Sequence, residues 1–189
     1  LLWYAPNVMT QIPQSNAFMA EVKLKLSGGA GTEGCDGDMA VLGMTGHHYA
    51  FCGLERENER LWLRLYEGFV TGKEFEGQAM EGLAASKEWN QEKALWLRME
   101  LGEDKMFFFS VYDDGSTFLP FGPSFHLAKG TWTGAKLCLW ACNRNNITSG
   151  GWGEYDYIHI SHKKDRCGSF GRSGQSKAAG RPYLPSGNL

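Results

Sequence analysis

A chain of 189 residues with 42% hydrophobic side chains has room for one domain with a real core and one tail segment beyond it. Its net charge of −2 offers no electrostatic footprint for nucleic acid or an anionic membrane, which excludes both as expected partners. No apolar run approaches the roughly 18–20 residues that a membrane-spanning helix needs. The opening Leu1-Leu2-Trp3-Tyr4-Ala5-Pro6 has no basic segment and no initiator Met, so it reads as the interior of a longer chain rather than a signal peptide.

The 25 glycines and 13% aromatic residues favour many short strands joined by turns. Hydrophobic side chains recur with period two along most of the chain and with period 3.6 almost nowhere. From Phe18 to Leu26, Val22, Leu24 and Leu26 alternate with Glu21, Lys23 and Lys25, as in an antiparallel strand with one solvated face. Met39 to Met44 is wholly apolar, and His48 to Glu55 is its expected partner across a turn at Gly46. Leu61, Leu63 and Leu65 alternate with Trp62, Arg64 and Tyr66. The segment from Gly77 to Asn90 is expected to hold a helical turn or a long loop. Leu95, Leu97, Met99 and Leu101 alternate with Trp96, Arg98 and Glu100. Met106 to Tyr112 is a strongly apolar strand that ends at Asp113-Asp114-Gly115, a hairpin signal that places Phe118 on the returning strand. Gly134 to Cys142 and Glu154 to Ile160 complete the set. Residues 162–189, rich in Lys, Arg, Gly, Ser and Pro, show no periodicity and are expected to be a disordered tail. Eight or more short strands with turns between them predict an all-β sandwich or barrel over residues 1–161.

The candidate chemistry is sparse. A retaining glycosidase needs two carboxylates on one face, about 5 to 5.5 Å apart. Glu154-Tyr155-Asp156-Tyr157-Ile158-His159 supplies the first half of an E-x-D-x-x-E strand and lacks the closing Glu, so no catalytic residue is assigned. Asp156 is expected instead to fix the last strand by accepting hydrogen bonds from a neighbouring loop. Two strands carry the same triplet, Trp62-Leu63-Arg64 and Trp96-Leu97-Arg98, with Trp and Arg opposite the leucines. Were the strands neighbours, they would form one Trp/Arg surface. That surface suits carbohydrate, whose C–H faces stack on aromatic rings, or contact with another domain. Its bland counterpart is a packed layer with Arg over Trp. No G-x-S-x-G and no His-paired Cys signature occurs, and Gly28-Gly29-Ala30-Gly31 reads as a turn, not a phosphate loop. Asp36, Asp38 and Asp156 are too scattered to support a structural calcium, and His47-His48 points its rings to opposite faces, so no metal or cofactor is expected. Cys35, Cys52, Cys138, Cys142 and Cys167 are odd in number and lack a C-x-x-C. They are read as free, mostly buried thiols of a reducing, cytoplasmic setting, with Cys138 and Cys142 on one face of a strand and too far apart to bridge.

Several stretches resemble the concanavalin A-like (jelly-roll) C-terminal module of family 43 β-xylosidases and α-arabinofuranosidases. They are Leu1 to Asn7 followed by Phe18, Gly37 to Met44, Tyr49 to Glu55, Phe109 to Phe118 with Phe121-Gly122-Pro123-Ser124-Phe125, Trp132 to Leu139, and Glu154 to Ile160. The resemblance spans about residues 1 to 161. It implies a two-sheet antiparallel sandwich, here without the strand that usually precedes the Leu-Trp opening. It also implies an accessory role rather than an activity of its own. The module would pack on an N-terminal five-bladed propeller that carries the catalytic carboxylates, and help shape a pocket for xylo-oligosaccharide or arabinoxylan. The residue it puts at the rim of that pocket is Trp132, the aromatic before Thr133-Gly134-Ala135. The alternative is an independent xylan-binding module.

Overall fold

The computed structural model describes residues 8–15, 17–28, 34–71, 78–112, 117–128, 134–145 and 151–162. These residues form twelve strands and no helix: β1 (Met9–Gln11), β2 (Phe18–Ser27), β3 (Asp38–Thr45), β4 (His48–Glu57), β5 (Arg60–Thr71), β6 (Gln78–Trp89), β7 (Leu95–Leu101), β8 (Met106–Tyr112), β9 (Phe118–Pro120), β10 (Phe125–His126), β11 (Lys136–Asn143) and β12 (Trp152–His162). One sheet runs β1-β11-β3-β4-β5-β6. The other runs β10-β8-β7-β2-β12, with β9 also on β8. Every pairing is antiparallel.

The period-two alternation explains why these two sheets face one another. Leu61, Leu63 and Leu65 of β5 meet Leu95, Leu97 and Met99 of β7 in a shared core with Val22, Leu24, Leu42, Leu54 and Phe109, all of them buried. Each strand that is polar on alternate residues turns its polar side outward, so the leucine repeats alone set which way it faces. The wholly apolar β3 is the exception with a reason: it is covered on both sides. Its Ala40, Leu42 and Met44 enter the shared core. Its Met39 and Val41 join Tyr49, Phe51, Tyr66, Val70, Cys138 and Trp140 in a second buried layer on the outer face of the first sheet. Cys138 and Cys142 share that outer face as expected, and Cys35, Cys52, Cys138 and Cys142 are free thiols.

The segment from Gly77 to Asn90 holds neither helix nor long loop where it is described. It is β6, paired with β5 from Leu61↔Trp89 to Thr71↔Gln78, with a bulge opposite Leu65 and Tyr66. Its Ala, Glu and Lys content carries little strand propensity, and an edge strand with a bulge shows no clean alternation. β1 and β10 are too short to leave a periodic trace. The Asp113-Asp114-Gly115 turn lies outside the described residues, yet β8 and β9 pair across it, with Tyr112 opposite Phe118. The last strand reaches His162, one residue into the expected tail; residues 163–189, Cys167 among them, lie outside the described residues.

Candidate functional site

The two Trp-Leu-Arg triplets do not share a surface. β5 lies in the first sheet and β7 in the second. The leucines of both turn into the common core, so Trp62 and Arg64 point out of one side of the sandwich and Trp96 and Arg98 out of the other.

On the first sheet, Arg64 sits between two carboxylates, 3.3 Å from Glu55 and hydrogen-bonded to Glu57. Its guanidinium lies 5.5 Å from the Trp62 ring centroid, so the cation–π contact expected of the bland reading is present here. Burial opposes the charge on Arg64, but the hydrogen bond to Glu57 and the Glu55 charge outweigh it and raise its pKa. The Tyr66 hydroxyl donates to Glu55 Oε2 at 2.6 Å, and its pKa is pushed up to about 12, first by burial and then by that carboxylate. Arg144 stacks 4.1 Å from the Tyr66 ring and reaches Glu81 at 3.4 Å, and Tyr49 Oη donates to the same Glu81 at 3.0 Å. The Glu81 side chain is 1% exposed and that of Arg64 11%. The rings of Tyr49, Phe51, Tyr66 and Trp140 beneath this network are all buried. These four rings therefore form a packed layer, and Trp62 beside them is partly buried.

The second sheet is different. Tyr157, Lys23, Trp96, Tyr112 and Phe118 occupy one continuous register row across β12, β2, β7, β8 and β9. Ring centroids are 5.5 Å apart for Trp96 and Tyr157, 6.0 Å for Trp96 and Tyr112, and 5.0 Å for Tyr112 and Phe118. All four aromatic side chains are only partly buried. Arg98 donates to Glu21 through Nε at 3.1 Å and Nη2 at 2.8 Å, and lies 3.7 Å over the Phe118 ring. Tyr157 Oη donates to Glu21 Oε1 at 2.7 Å, and Lys23 Nζ to Asp156 Oδ2 at 2.5 Å.

Asp156 accepts from Lys23 of the adjacent strand, in an exposed pair, and not from a loop as expected. That hydrogen bond and charge hold its carboxyl below the usual range. Glu154 accepts from Ser27 Oγ and Trp152 Nε1. A bulge at Asp156 rephases the strand, so the residues that follow on this outward face are Tyr157 and His159. Neither is a carboxylate.

A third feature lies at one end of the sandwich, where the sheets part. A pocket of about 500 Å³ is lined by Ile12, Met44, Leu101 and Leu127, with Lys105 and His126 in its wall. Beside it, His48 crosses between the sheets. Its Nδ1 is 3.0 Å from the His126 carbonyl and its Nε2 2.6 Å from Glu67. Asp38 accepts from the Cys35 backbone N–H and from Asn143. Among the described residues, no three His, Cys, Asp or Glu side chains are grouped to hold a metal ion.

The model of one protein family, the beta xylosidase C-terminal concanavalin A-like domain, matches residues 2–161. The chain belongs to this family. Two solved structures agree in fold with its concanavalin A-like domain. A bifunctional GH43-CE protein from Bacteroides eggerthii matches with a TM-score of 0.67 at 18% identity, over 86% of this chain and 20% of that one. An engineered GH43 glycoside hydrolase, described as displaying both endo-xylanase and exo-arabinofuranosidase activity, matches with a TM-score of 0.68 at 16% identity, over 85% of this chain and 32% of that one. This chain therefore corresponds to a third or less of either solved chain. Among curated proteins, none matches.

Within this family 43 C-terminal domain, the structure separates Trp62 and Arg64 from Trp96 and Arg98, and it enlarges each pair. Tyr66, Glu55, Arg144 and Glu81 join the first, and Tyr157, Tyr112, Phe118, Glu21 and Lys23 join the second. Sequence alternation named the two anchors because Trp and Arg interrupt leucine repeats. It could not name the partners, which arrive from distant strands: Glu21 lies 77 residues from Arg98. Trp132 lies outside the described residues. Ala128 and Gly134, which bracket residues 129–133, both line the end pocket.

Proposed function

We propose that this chain is the accessory C-terminal module of a family 43 glycoside hydrolase that acts on xylan or arabinoxylan oligosaccharides. It packs on an N-terminal five-bladed propeller that carries the catalytic carboxylates, and Trp132 helps to shape the substrate pocket. Membership of the β-xylosidase C-terminal domain family is the observation that carries this reading. Three further points support it. Both solved structures are GH43 proteins, and the match covers 20% and 32% of their chains. One of them, an engineered enzyme, is described as displaying both endo-xylanase and exo-arabinofuranosidase activity. The pocket lined by Ala128 and Gly134 includes exposed Ile12, and Phe69 and Met80 are exposed at the same end of the sandwich, an apolar surface suited to a partner domain. The glycosidic carboxylates belong to the partner in this account, because Glu154 and Asp156 are engaged by Ser27, Trp152 and Lys23 and no third carboxylate follows them.

The test is Trp132→Ala in the complete enzyme. The expected result is a loss of kcat/KM on xylo-oligosaccharide by 10-fold or more, on the order of 1.4 kcal/mol, with an unchanged melting temperature. A fall in melting temperature with kcat/KM intact would make Trp132 a core residue and remove it from the pocket.

A further inference from the structure

The row Tyr157–Lys23–Trp96–Tyr112–Phe118 has properties that packing alone does not demand. Five positions on five consecutive strands stand in one register line, which at the usual strand spacing spans about 19 Å between its first and last Cα atoms. A bulge builds one end of it. Strict alternation after the inward-facing Tyr155 would send Asp156 outward and Tyr157 back toward the core. The extra residue at Asp156 turns Tyr157 outward instead, opposite Lys23. Bulges of this kind re-aim a side chain at the cost of ladder hydrogen bonds, and here the side chain gained is an aromatic one in line with three others.

The row is also electrically closed. The cations in or next to it, Lys23, Lys25 and Arg98, are matched in number by the nearest acids, Glu21, Glu154 and Asp156, with Glu100 one step farther along β7. Lys23 is bound to Asp156 and Arg98 to Glu21, and Glu154 stands opposite Lys25 in the register. Such a face gives no Coulombic gain to an anionic or cationic ligand. It presents ring surface flanked by hydrogen-bonding groups whose charges are already compensated. A sugar chain has that same alternation of C–H patches and hydroxyls. A protein partner would favour a dry apolar centre with few charges, and ion pairs run along both sides of this row. The four rings of the row stay partly exposed, with Lys23 Nζ 5.6 Å from the Trp96 centroid, whereas Tyr49, Phe51, Tyr66 and Trp140 on the first sheet are buried and leave Trp62 partly exposed.

We propose that the outer face of the second sheet is a binding platform for an uncharged oligosaccharide chain, with Trp96 and Tyr157 as its central stacking residues. The choice of a xylo-oligosaccharide as the sugar rests on the function proposed above; the platform itself does not.

The test is titration of the ¹⁵N-labelled 189-residue chain with xylohexaose, read by chemical-shift changes, alongside Trp96→Ala, Tyr157→Ala and, on the opposite face, Trp62→Ala. The expected result is saturable shifts centred on the Trp96 indole and the row. Affinity should fall roughly 10-fold in Trp96→Ala and Tyr157→Ala and stay unchanged in Trp62→Ala. The shift map of the unsubstituted chain decides the matter should a variant fail to fold. Three results would each overturn the platform: no shifts at millimolar xylohexaose, shifts confined to the first sheet or the end pocket, or preference for an oligogalacturonate over the neutral sugar. None of these touches the accessory role, which stands or falls with the complete enzyme.

Discussion

At the residue scale, the outer layer of the first sheet depends on close approach. Tyr49 lies across Gly68 so tightly that a Cβ there would sit 2.3 Å from its ring carbon Cζ. Gly68→Ala should therefore displace Tyr49 and its bond to Glu81, and lower stability by about 1–3 kcal/mol in urea unfolding. Tyr66 gives the same layer a pH dependence. Its pKa rises from about 10 in the unfolded chain to about 12 in the fold, because burial and the nearby Glu55 both penalise the phenolate. A raised pKa favours the protonated form in the fold. Its contribution is complete below pH 10 and is lost as pH climbs from about 10 to 12. Tyr66→Phe removes this titration, so its alkaline loss of stability over that window should be smaller than that of the parent chain, measured by melting temperature against pH. Equal losses in both proteins would place the alkaline sensitivity elsewhere, with Tyr155 and Tyr157, whose pKa values are also raised, as the next groups to replace.

At the scale of elements, β12 is tied to the other sheet through one side chain. Tyr155 Oη donates toward the carbonyls of Trp140 at 2.8 Å and Val41 at 3.0 Å, and accepts from the Val41 N–H at 2.9 Å. Tyr155→Phe keeps the ring and strips these backbone groups of their partner. The expected cost is about 1–3 kcal/mol, with faster amide exchange across Trp152–His162 and at Val41. A neutral outcome would mean that the pairing of β12 with β2 suffices to hold the last strand. The same strand shows where sequence reasoning ran out. Leucine repeats in β2, β5 and β7 made those elements and their inward faces legible, because burial on one side only imprints a period of two. The bulge at Asp156 left no such imprint, so Tyr157 could not be assigned to the outer face in advance. β6 was misread for a related reason: an edge strand with a mid-strand bulge has little alternation and a composition that helices also tolerate.

At the scale of the whole molecule, the sandwich was legible because β2, β5 and β7 each bury one leucine-rich face, and such faces are satisfied against each other. Which sheet each strand joins was not legible. Trp62 and Trp96 carry identical local sequence yet end on opposite sides of the protein, since sheet order is fixed by long-range pairing. The two faces differ in their surroundings: Tyr49, Phe51, Tyr66 and Trp140 on the Trp62 side are buried, whereas Tyr157, Tyr112 and Phe118 on the Trp96 side are partly exposed. The end pocket lined by Ala128 and Gly134 and the exposed Ile12, Phe69 and Met80 give the sandwich a third, apolar surface of the kind that marks an interaction site. The measurement that tests this account most directly is the sequence of the coding DNA upstream of Leu1. The account predicts an in-frame family 43 propeller with its catalytic carboxylates. A start codon close to Leu1 with no such domain would contradict it and leave the aromatic row as the centre of the protein's function.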